Sequence, residues 1–166
     1  MAMADGIEAI IAQLASADPG ERAAAAERLG QMGPEAAPAA VELVEVCRDA
    51  HEPVREWAVA ALEELGPPPE AAVSRLTLLV GDRVPLAGYW AATLLGRCGE
   101  GAAEAVSVLA DAVNSGDDLS VRQRAAWALG QIGPAAAAAR GVLEKAAGDP
   151  DPRLSRLARD AMAAIG

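Results

Sequence analysis

Apolar side chains recur along this chain at spacings of four, three and four residues, which is the periodicity of one face of an α-helix. Each apolar stripe begins near a proline or an aspartate and is followed by a glycine, and these residues favour the start and the end of a helix respectively. Two stripes with this spacing are Val54, Ala58, Ala61 and Leu65, and Val121, Ala125, Ala128 and Ile132. The pattern predicts an all-α protein without strands.

One phrase of the sequence returns at a distance, because LGQMGP at 29–34 reappears as LGQIGP at 129–134. The leucine that begins this phrase has an equivalent leucine or methionine at four other places in the chain, and the five positions are separated by 33, 33, 34 and 33 residues. These anchors are Leu29, Leu62, Leu95, Leu129 and Met162. An alanine stands four residues before every anchor, and a glycine stands four residues after it. The chain is therefore predicted to be a tandem array of helical repeats.

Each repeat contains two helical segments joined by a short turn. The glycine after the first helix is expected to end it in the left-handed conformation, and a proline after Gly33, Gly66 and Gly133 starts the second helix. We predict ten helices, near residues 5–16, 19–32, 34–49, 53–65, 68–80, 84–98, 100–115, 119–132, 134–147 and 151–165. Because such a hairpin cannot bury its faces alone, neighbouring repeats are expected to stack.

The predicted architecture is a right-handed α-solenoid of about five hairpin repeats, forming a single domain over residues 1–166. Its segments are a lone helix at 5–16, repeats at about 17–49, 50–82, 83–116 and 117–149, and a terminal half-repeat at 150–166. The last helix has more apolar positions than one neighbouring hairpin should cover, among them Leu157, Met162 and Ile165. We therefore expect this C-terminal end face to be covered by self-association or, in a longer parent chain, by further repeats.

Composition and charge restrict the classes of function. The chain is 52% hydrophobic but has no Phe, so alanine, leucine and valine must form the core. Residues 1–82 have 15 acidic and 5 basic side chains, whereas residues 83–166 have 9 of each. Since nucleic-acid affinity depends on neutralising phosphates with Lys and Arg, a nucleic-acid partner is not expected.

The compartment is predicted from what the chain lacks. It has no run of the roughly 18 apolar residues that a membrane span needs, and its first residues do not form the basic region of a signal peptide. We expect a cytoplasmic protein without a membrane partner. The preference for 13 Arg over 1 Lys is typical of a bacterial gene rich in G and C.

Candidate catalytic chemistry is sparse. The single histidine, His51, precedes Glu52, but a metal site needs further ligands, and the other repeats supply no second histidine. Cys47 and Cys98 have no other histidine to act as a base, and their spacing matches no metal or disulfide motif. We therefore predict no catalytic residue, no metal and no cofactor.

Several repeats share a more specific motif. Pro53-Val54-Arg55 in one repeat, and Val121-Arg122 followed by Ala125-Ala126 and by 129–134 in another, resemble the short HEAT-like repeat that also occurs in phycobilin lyases. The resemblance covers residues 5–166 and implies an armadillo-like helical scaffold. It also implies that the arginine links adjacent repeats through a loop acid. The third repeat departs from this pattern, because Gly88 stands where the others have an arginine, so its junction near 82–90 is expected to be looser.

The resemblance implies that the second helix of each repeat lines a concave face. The residues expected to project there are Glu42, Glu45, Arg75, Leu78, Glu104, Val108, Asp111, Val142 and Lys145. Trp57, Trp90 and Trp127 border the apolar stripes, where they either fill gaps in the core or serve as aromatic anchors for a partner. The function predicted is a non-catalytic scaffold that binds a protein or peptide, preferring a basic one. The alternative is a HEAT-like enzyme related to the phycobilin lyases.

Overall fold

A computed structural model describes the backbone of residues 2–166 and the side chains of residues 6–166, and within this range it is helical without strands. The chain divides into two compact units, Met1–Pro69 and Glu70–Gly166, which are called the N-terminal and the C-terminal unit below. No helix of residues 2–166 has the length and the apolar character to cross a membrane. The α-helices are α1 (Ala2–Gln13), α2 (Pro19–Met32), α3 (Ala40–Val46), α4 (Glu52–Glu64), α5 (Val73–Leu79), α6 (Pro85–Arg97), α7 (Val106–Ser115), α8 (Leu119–Ile132), α9 (Arg140–Ala146) and α10 (Pro152–Ile165).

Aspartates cap the N-termini of α2, α8 and α10, each of which is the first helix of its repeat. Asp18 accepts a hydrogen bond from the Gly20 backbone N–H, and Asp151 accepts one from that of Leu154. Asp118 does the same for two N–H groups of the first turn of α8. These contacts satisfy donors that a helix start leaves without partners. The predicted bounds of α2 and α8 are confirmed, whereas α1 begins and ends three residues before its predicted bounds.

The second helices are shorter than predicted, because each opens with a 3₁₀ segment. These segments are Gly33–Ala39, Glu70–Ala72, Gly99–Ala105 and Gly133–Ala139. In the first of them Pro38 has no N–H to donate to a carbonyl one α-helical turn earlier, which favours the tighter winding. The prediction of continuous α-helices from residues 34, 68, 100 and 134 was therefore wrong in this detail.

The glycine caps differ from the prediction in two respects. Gly33 and Gly133 have positive φ angles of 57° and 71°, which favour glycine. Their ψ angles of −131° and −139°, however, place them in the mirror image of the extended region and not in the left-handed helical one. Gly66 has no positive φ at all, because α4 ends in an extended Leu65. The three prolines that follow, Pro67–Pro69, each favour an extended residue before them.

The repeated alanine and leucine positions form the core of both units. The five alanines that precede the anchors are completely buried, as are the four leucine anchors. In the N-terminal unit α4 packs on α2 and α3, and α1 packs on α2. In the C-terminal unit α6, α8 and α10 pack side by side, with α5, α7 and α9 against them. The alanines permit this close helix packing because their side chains are small.

The structure explains the first glycine of the repeated six-residue phrase, which is Gly30 in one copy and Gly130 in the other. A Cβ atom on Gly30 would lie 3.4 Å from Cα of Ala61 on α4, and one on Gly130 would lie 3.0 Å from Cα of Ala161 on α10. The glycine therefore lets the first helix of one repeat approach the backbone of the next. The final anchor, Met162, is half-buried together with Leu157, whereas Ile165 is buried.

Candidate functional site

In each unit an arginine near the start of a first helix joins the segment before that helix to the loop before the next first helix. In the N-terminal unit, Nε and Nη2 of Arg22 donate to the two carboxylate oxygens of Asp49 at 2.6 and 3.0 Å, and Nη1 donates to the Ser16 carbonyl at 2.8 Å. In the C-terminal unit, Nη2 of Arg122 donates to Asp149 at 2.8 Å, and its Nε donates to the Val113 carbonyl at 3.0 Å. The linking role that the resemblance implied for this arginine is confirmed at both positions.

These contacts change the acidity of the aspartates. The hydrogen bond from Arg22 is the main cause that lowers the pKa of Asp49 to about 2, and the His51 backbone N–H adds to the effect. For Asp149 the Asp151 backbone N–H is the largest cause, and Arg122 the next, of a lowered pKa. His51 lies beside Asp49, with 3.3 Å between Nδ1 and Oδ1. Among the residues that the structure describes, no group of His, Cys, Asp and Glu side chains could hold a metal ion.

The third repeat has no such arginine, because Gly88 occupies its position. A Cβ atom at residue 88 would lie only 2.8 Å from the Val80 carbonyl oxygen, so α6 lies directly against the backbone at the end of α5. The sequence predicted a looser junction here, whereas at Gly88 the two helices are in close contact. A cleft of about 390 Å³ opens nearby, between the loop that precedes α6 and the loop that precedes α8.

Two residues in the wall of this cleft hold sequence positions equivalent to those that Arg22 contacts in its own repeat, although one of them, Gly116, has no carboxylate. Arg22 contacts Ser16 and Asp49, each of which lies thirteen residues before an anchor. The residues thirteen positions before the next two anchors are Asp82 and Gly116, and both line the cleft. The cleft therefore lies between the two loops of the third repeat that correspond to the loops joined by Arg22.

The cleft combines an apolar lining with carboxylates. Val80, Val108 and Val121 supply apolar surface, and the acidic residues are Asp82, Asp111, Asp117 and Asp118. Asp118 is engaged as the cap of α8, and the hydrogen bond from the Ser120 side chain is the main cause of its lowered pKa. Asp111 and Asp117 are exposed, and Arg83 is the one cation in the lining. The C-terminal turn of α7 also lies at the cleft, and helix C-termini favour cations.

The structure brings together only some of the predicted binding residues. Val108, half-buried, and Asp111 share the cleft. Glu104 accepts a hydrogen bond of 2.6 Å from the Ser74 hydroxyl, and Lys145 donates one of 3.0 Å to the Asn114 side chain. The others line no cleft described here: Arg75 is exposed, Leu78 is 82% exposed, Val142 is half-buried, and Glu42 and Glu45 are half-buried on α3 of the N-terminal unit.

The three tryptophans occupy different environments. Trp57 on α4 is 41% exposed, whereas Trp90 on α6 is 6% exposed, which favours the core-filling alternative for Trp90. Trp127 on α8 is half-buried, and its ring lies where a Cβ atom of Gly96 would stand, 2.4 Å from Cζ3. The role of these residues as partner anchors stays a prediction.

Sequence reasoning missed most of the cleft. Asp82, Asp117 and Val80 were not among the predicted binding residues, although two signals pointed to this region. One was Gly88 in place of an arginine, and the other was the single 34-residue step between anchors, which lengthens the loop before α8. Neither signal shows by itself that a cleft results, because that depends on how the loops pack.

The fold and the repeated clamps define an α-helical repeat protein. The family model for HEAT repeats matches residues 7–87, 40–130 and 74–163, and the chain belongs to this family. No curated protein sequence matches the chain.

The solved structures with a similar fold include both designed and natural proteins. A designed armadillo repeat protein in complex with the peptide (KR)4 is 19% identical, with a TM-score of 0.71 over 99% of this chain and 83% of that one. An engineered protein is 22% identical, with a TM-score of 0.66 over 96% of this chain and 79% of that one. The CpcE–CpcF complex of phycocyanin lyase from Nostoc sp. PCC7120 is 26% identical, with a TM-score of 0.66 over 96% of this chain and 64% of that one.

Proposed function

We propose that this protein is a non-catalytic scaffold that binds a basic protein or peptide through the surface of its second helices. The acidic cleft of the C-terminal unit would receive an arginine or lysine side chain of that partner. The observation that carries the proposal is an acidic cleft between the two loops that correspond to those joined by Arg22, in a repeat whose clamp position is Gly88. A partner's guanidinium would meet there the kinds of group that bind Arg22, namely carboxylates and loop carbonyls.

Charge supports the same kind of partner. The chain has a net charge of −10, and its N-terminal unit alone has 13 acidic and 4 basic side chains. Such a surface accelerates encounter with a cationic peptide and disfavours an anionic one. The peptide (KR)4, bound by the designed armadillo relative, has the same chemistry and serves as a probe.

The experiment measures the dissociation constant of fluorescently labelled (KR)4 by polarisation. We expect binding, and we expect the double variant Asp111→Asn/Asp117→Asn to weaken it roughly fivefold or more, because each exposed charge pair contributes up to about 1 kcal/mol. The matched control is Glu100→Gln/Glu144→Gln, which removes two exposed negative charges that do not line the cleft. Absence of binding, or equal weakening by the control, would reject the cleft as the site.

A second candidate function rests on the likeness to the phycocyanin lyase complex, which covers 96% of this chain. Under this alternative the protein would handle a bilin chromophore. Incubation with a free bilin followed by gel filtration separates the two functions, because the scaffold proposal expects no chromophore absorbance in the protein fraction. A stable coloured complex would favour the lyase-related alternative.

A further inference from the structure

A second surface of the C-terminal unit combines arginines with aromatic rings. The Arg124 guanidinium lies 4.5 Å from the centre of the Tyr89 ring and 5.0 Å from that of Trp127, and it donates a hydrogen bond to the Tyr89 hydroxyl. Arg97 lies 5.9 Å from the centre of the Trp90 ring. Cation–π contacts of this kind hold the arginines in fixed positions on the surface.

Three first helices build this surface together. Tyr89 comes from α6, Arg124 and Trp127 come from α8, and Arg153 and Leu157 come from α10. These five residues are called the arginine–aromatic face. Two depressions of about 110 and 190 Å³ lie on it, and both are lined by Trp127 and Leu157. The face is therefore a shallow apolar groove with cations beside it.

The positive charge of this face has little compensation. Within the described part of the chain Arg124 makes no ion pair, and Arg153 and its neighbour Arg156 make neither a hydrogen bond nor an ion pair. Asp160 is the one acidic residue that lines the depressions. Burial, and next the charge of Arg124, lower the pKa of Arg97, as expected where cations crowd together.

The N-terminal unit presents the complementary surface on α4. Trp57 is the most exposed of the three tryptophans, and it shares this helix with the exposed Glu52, Glu56 and Glu64. These glutamates make no hydrogen bond or ion pair within residues 6–166. Trp57, Glu52, Glu56 and Glu64 are called the acidic α4 face. An aromatic side chain among carboxylates is the chemical counterpart of a groove among arginines.

We propose that the arginine–aromatic face binds the acidic α4 face of a second copy of this chain, with Trp57 packing on Trp127 and Leu157 and the glutamates pairing with Arg124 and Arg153. We choose a second copy as the occupant because the two faces have complementary charges and every copy of the chain has both of them. Tryptophan and arginine are also the residues most enriched where binding energy concentrates. The contact is heterologous, so each added copy leaves one face of each kind available unless a ring closes.

Sedimentation velocity across the micromolar range at low salt tests the proposal. The unaltered protein is expected to form oligomers that grow with concentration and dissociate as salt is added. Trp57→Ala removes the anchor, and Arg153→Glu/Arg156→Glu reverses the charge beside the groove. Each should weaken association roughly tenfold or more. Because all three side chains are exposed, circular dichroism and Tm should stay close to those of the unaltered protein.

The decisive step mixes the two variants at a concentration at which each of them alone is monomeric. The Trp57→Ala chain keeps its arginine–aromatic face and the charge-reversed chain keeps its acidic α4 face, so the mixture should form a discrete one-to-one dimer. Leu78→Ala and the double variant Arg28→Glu/Arg140→Glu change exposed residues outside both faces and outside the acidic cleft, and they should associate like the unaltered protein.

Three results would overturn the proposal. The first is that the unaltered protein stays strictly monomeric. This result would count against the proposal even if the arginine–aromatic face bound an acidic peptide that contains tryptophan. The second is loss of association in the two controls to the same extent. The third is a mixture of the two variants that stays monomeric. None of these results bears on (KR)4 binding, which is measured separately at the acidic cleft.

Discussion

At the scale of the residue, glycine has two separate uses within one six-residue phrase. Gly30 and Gly130 lie inside helices, where glycine disfavours the helix, and they are explained by the nearness of the next helix backbone. Gly33 and Gly133 follow those helices with positive φ angles. The sequence shows that a glycine stands at each of these positions. Only the distance between neighbouring helices shows whether alanine can replace a glycine that lies inside a helix.

The two helical glycines are predicted to respond differently to the same substitution. Gly30→Ala places its Cβ atom at 3.4 Å, an ordinary contact distance, so the gain in helix propensity should leave stability unchanged or raise it by up to about 1 kcal/mol. Gly130→Ala meets Cα of Ala161 at 3.0 Å and should lower stability by about 1–3 kcal/mol. Urea unfolding of the two variants gives the comparison, and equal effects would contradict it.

At the scale of the element, the helices are connected by clamps that the sequence reveals only in part. The periodic stripes predicted the bounds of α2 and α8, because the burial of one helix face determines where apolar residues can stand. The 3₁₀ segments were not predicted, since their winding depends on the turn geometry and on the packing of each hairpin. The arginine clamps were implied by resemblance, whereas their carbonyl partners, such as Ser16, emerge only from the folded loops.

The Arg22–Asp49 clamp predicts a specific dependence of stability on pH. The pKa of Asp49 is lowered from 3.8 to about 2 in the folded protein, so the ionised form stabilises the fold above pH 4. This contribution should be lost as the pH falls from about 4 to about 2, because the unfolded chain then binds the proton first. Asp49→Asn should cost about 1–2 kcal/mol at pH 7. In this acid range it should lose less stability than the unaltered protein, because Asp118 and Asp149 still contribute while Asp49 no longer does.

The control for this clamp is Asp160→Asn, which changes an exposed aspartate that makes no hydrogen bond or ion pair among the described residues. Its free energy of unfolding should follow that of the unaltered protein at every pH. The measurement is urea unfolding at a series of pH values. If Asp49→Asn kept the full acid dependence of the unaltered protein, other carboxylates and not this clamp would be responsible.

At the scale of the whole molecule, charge is distributed unevenly between the two compact units. The N-terminal unit has 13 acidic and 4 basic side chains, whereas the C-terminal unit has 11 and 10. This asymmetry, like the all-α repeat class, could be predicted from the sequence, because both depend on residue order alone. The cleft and the arginine–aromatic face could not, since each joins residues from helices separated by a whole repeat.

The net charge predicts how association with a basic peptide depends on salt. The association rate of (KR)4 should fall steeply as the salt concentration rises beyond about 0.15 M, where the Debye length is roughly 8 Å. An uncharged peptide of equal length should associate at a rate that salt hardly changes. Stopped-flow fluorescence measures both rates. A rate for (KR)4 that ignores salt would show that long-range attraction has no part in the encounter.

The glycine at the clamp position of the third repeat has a consequence for how a repeat protein acquires specificity. Stability in such an array is close to a sum of local terms, so the loss of one clamp weakens one junction and leaves distant repeats as they were. Under the proposed function, a position that elsewhere clamps two loops of the same chain leaves, in this repeat, a surface that a side chain of another molecule can enter.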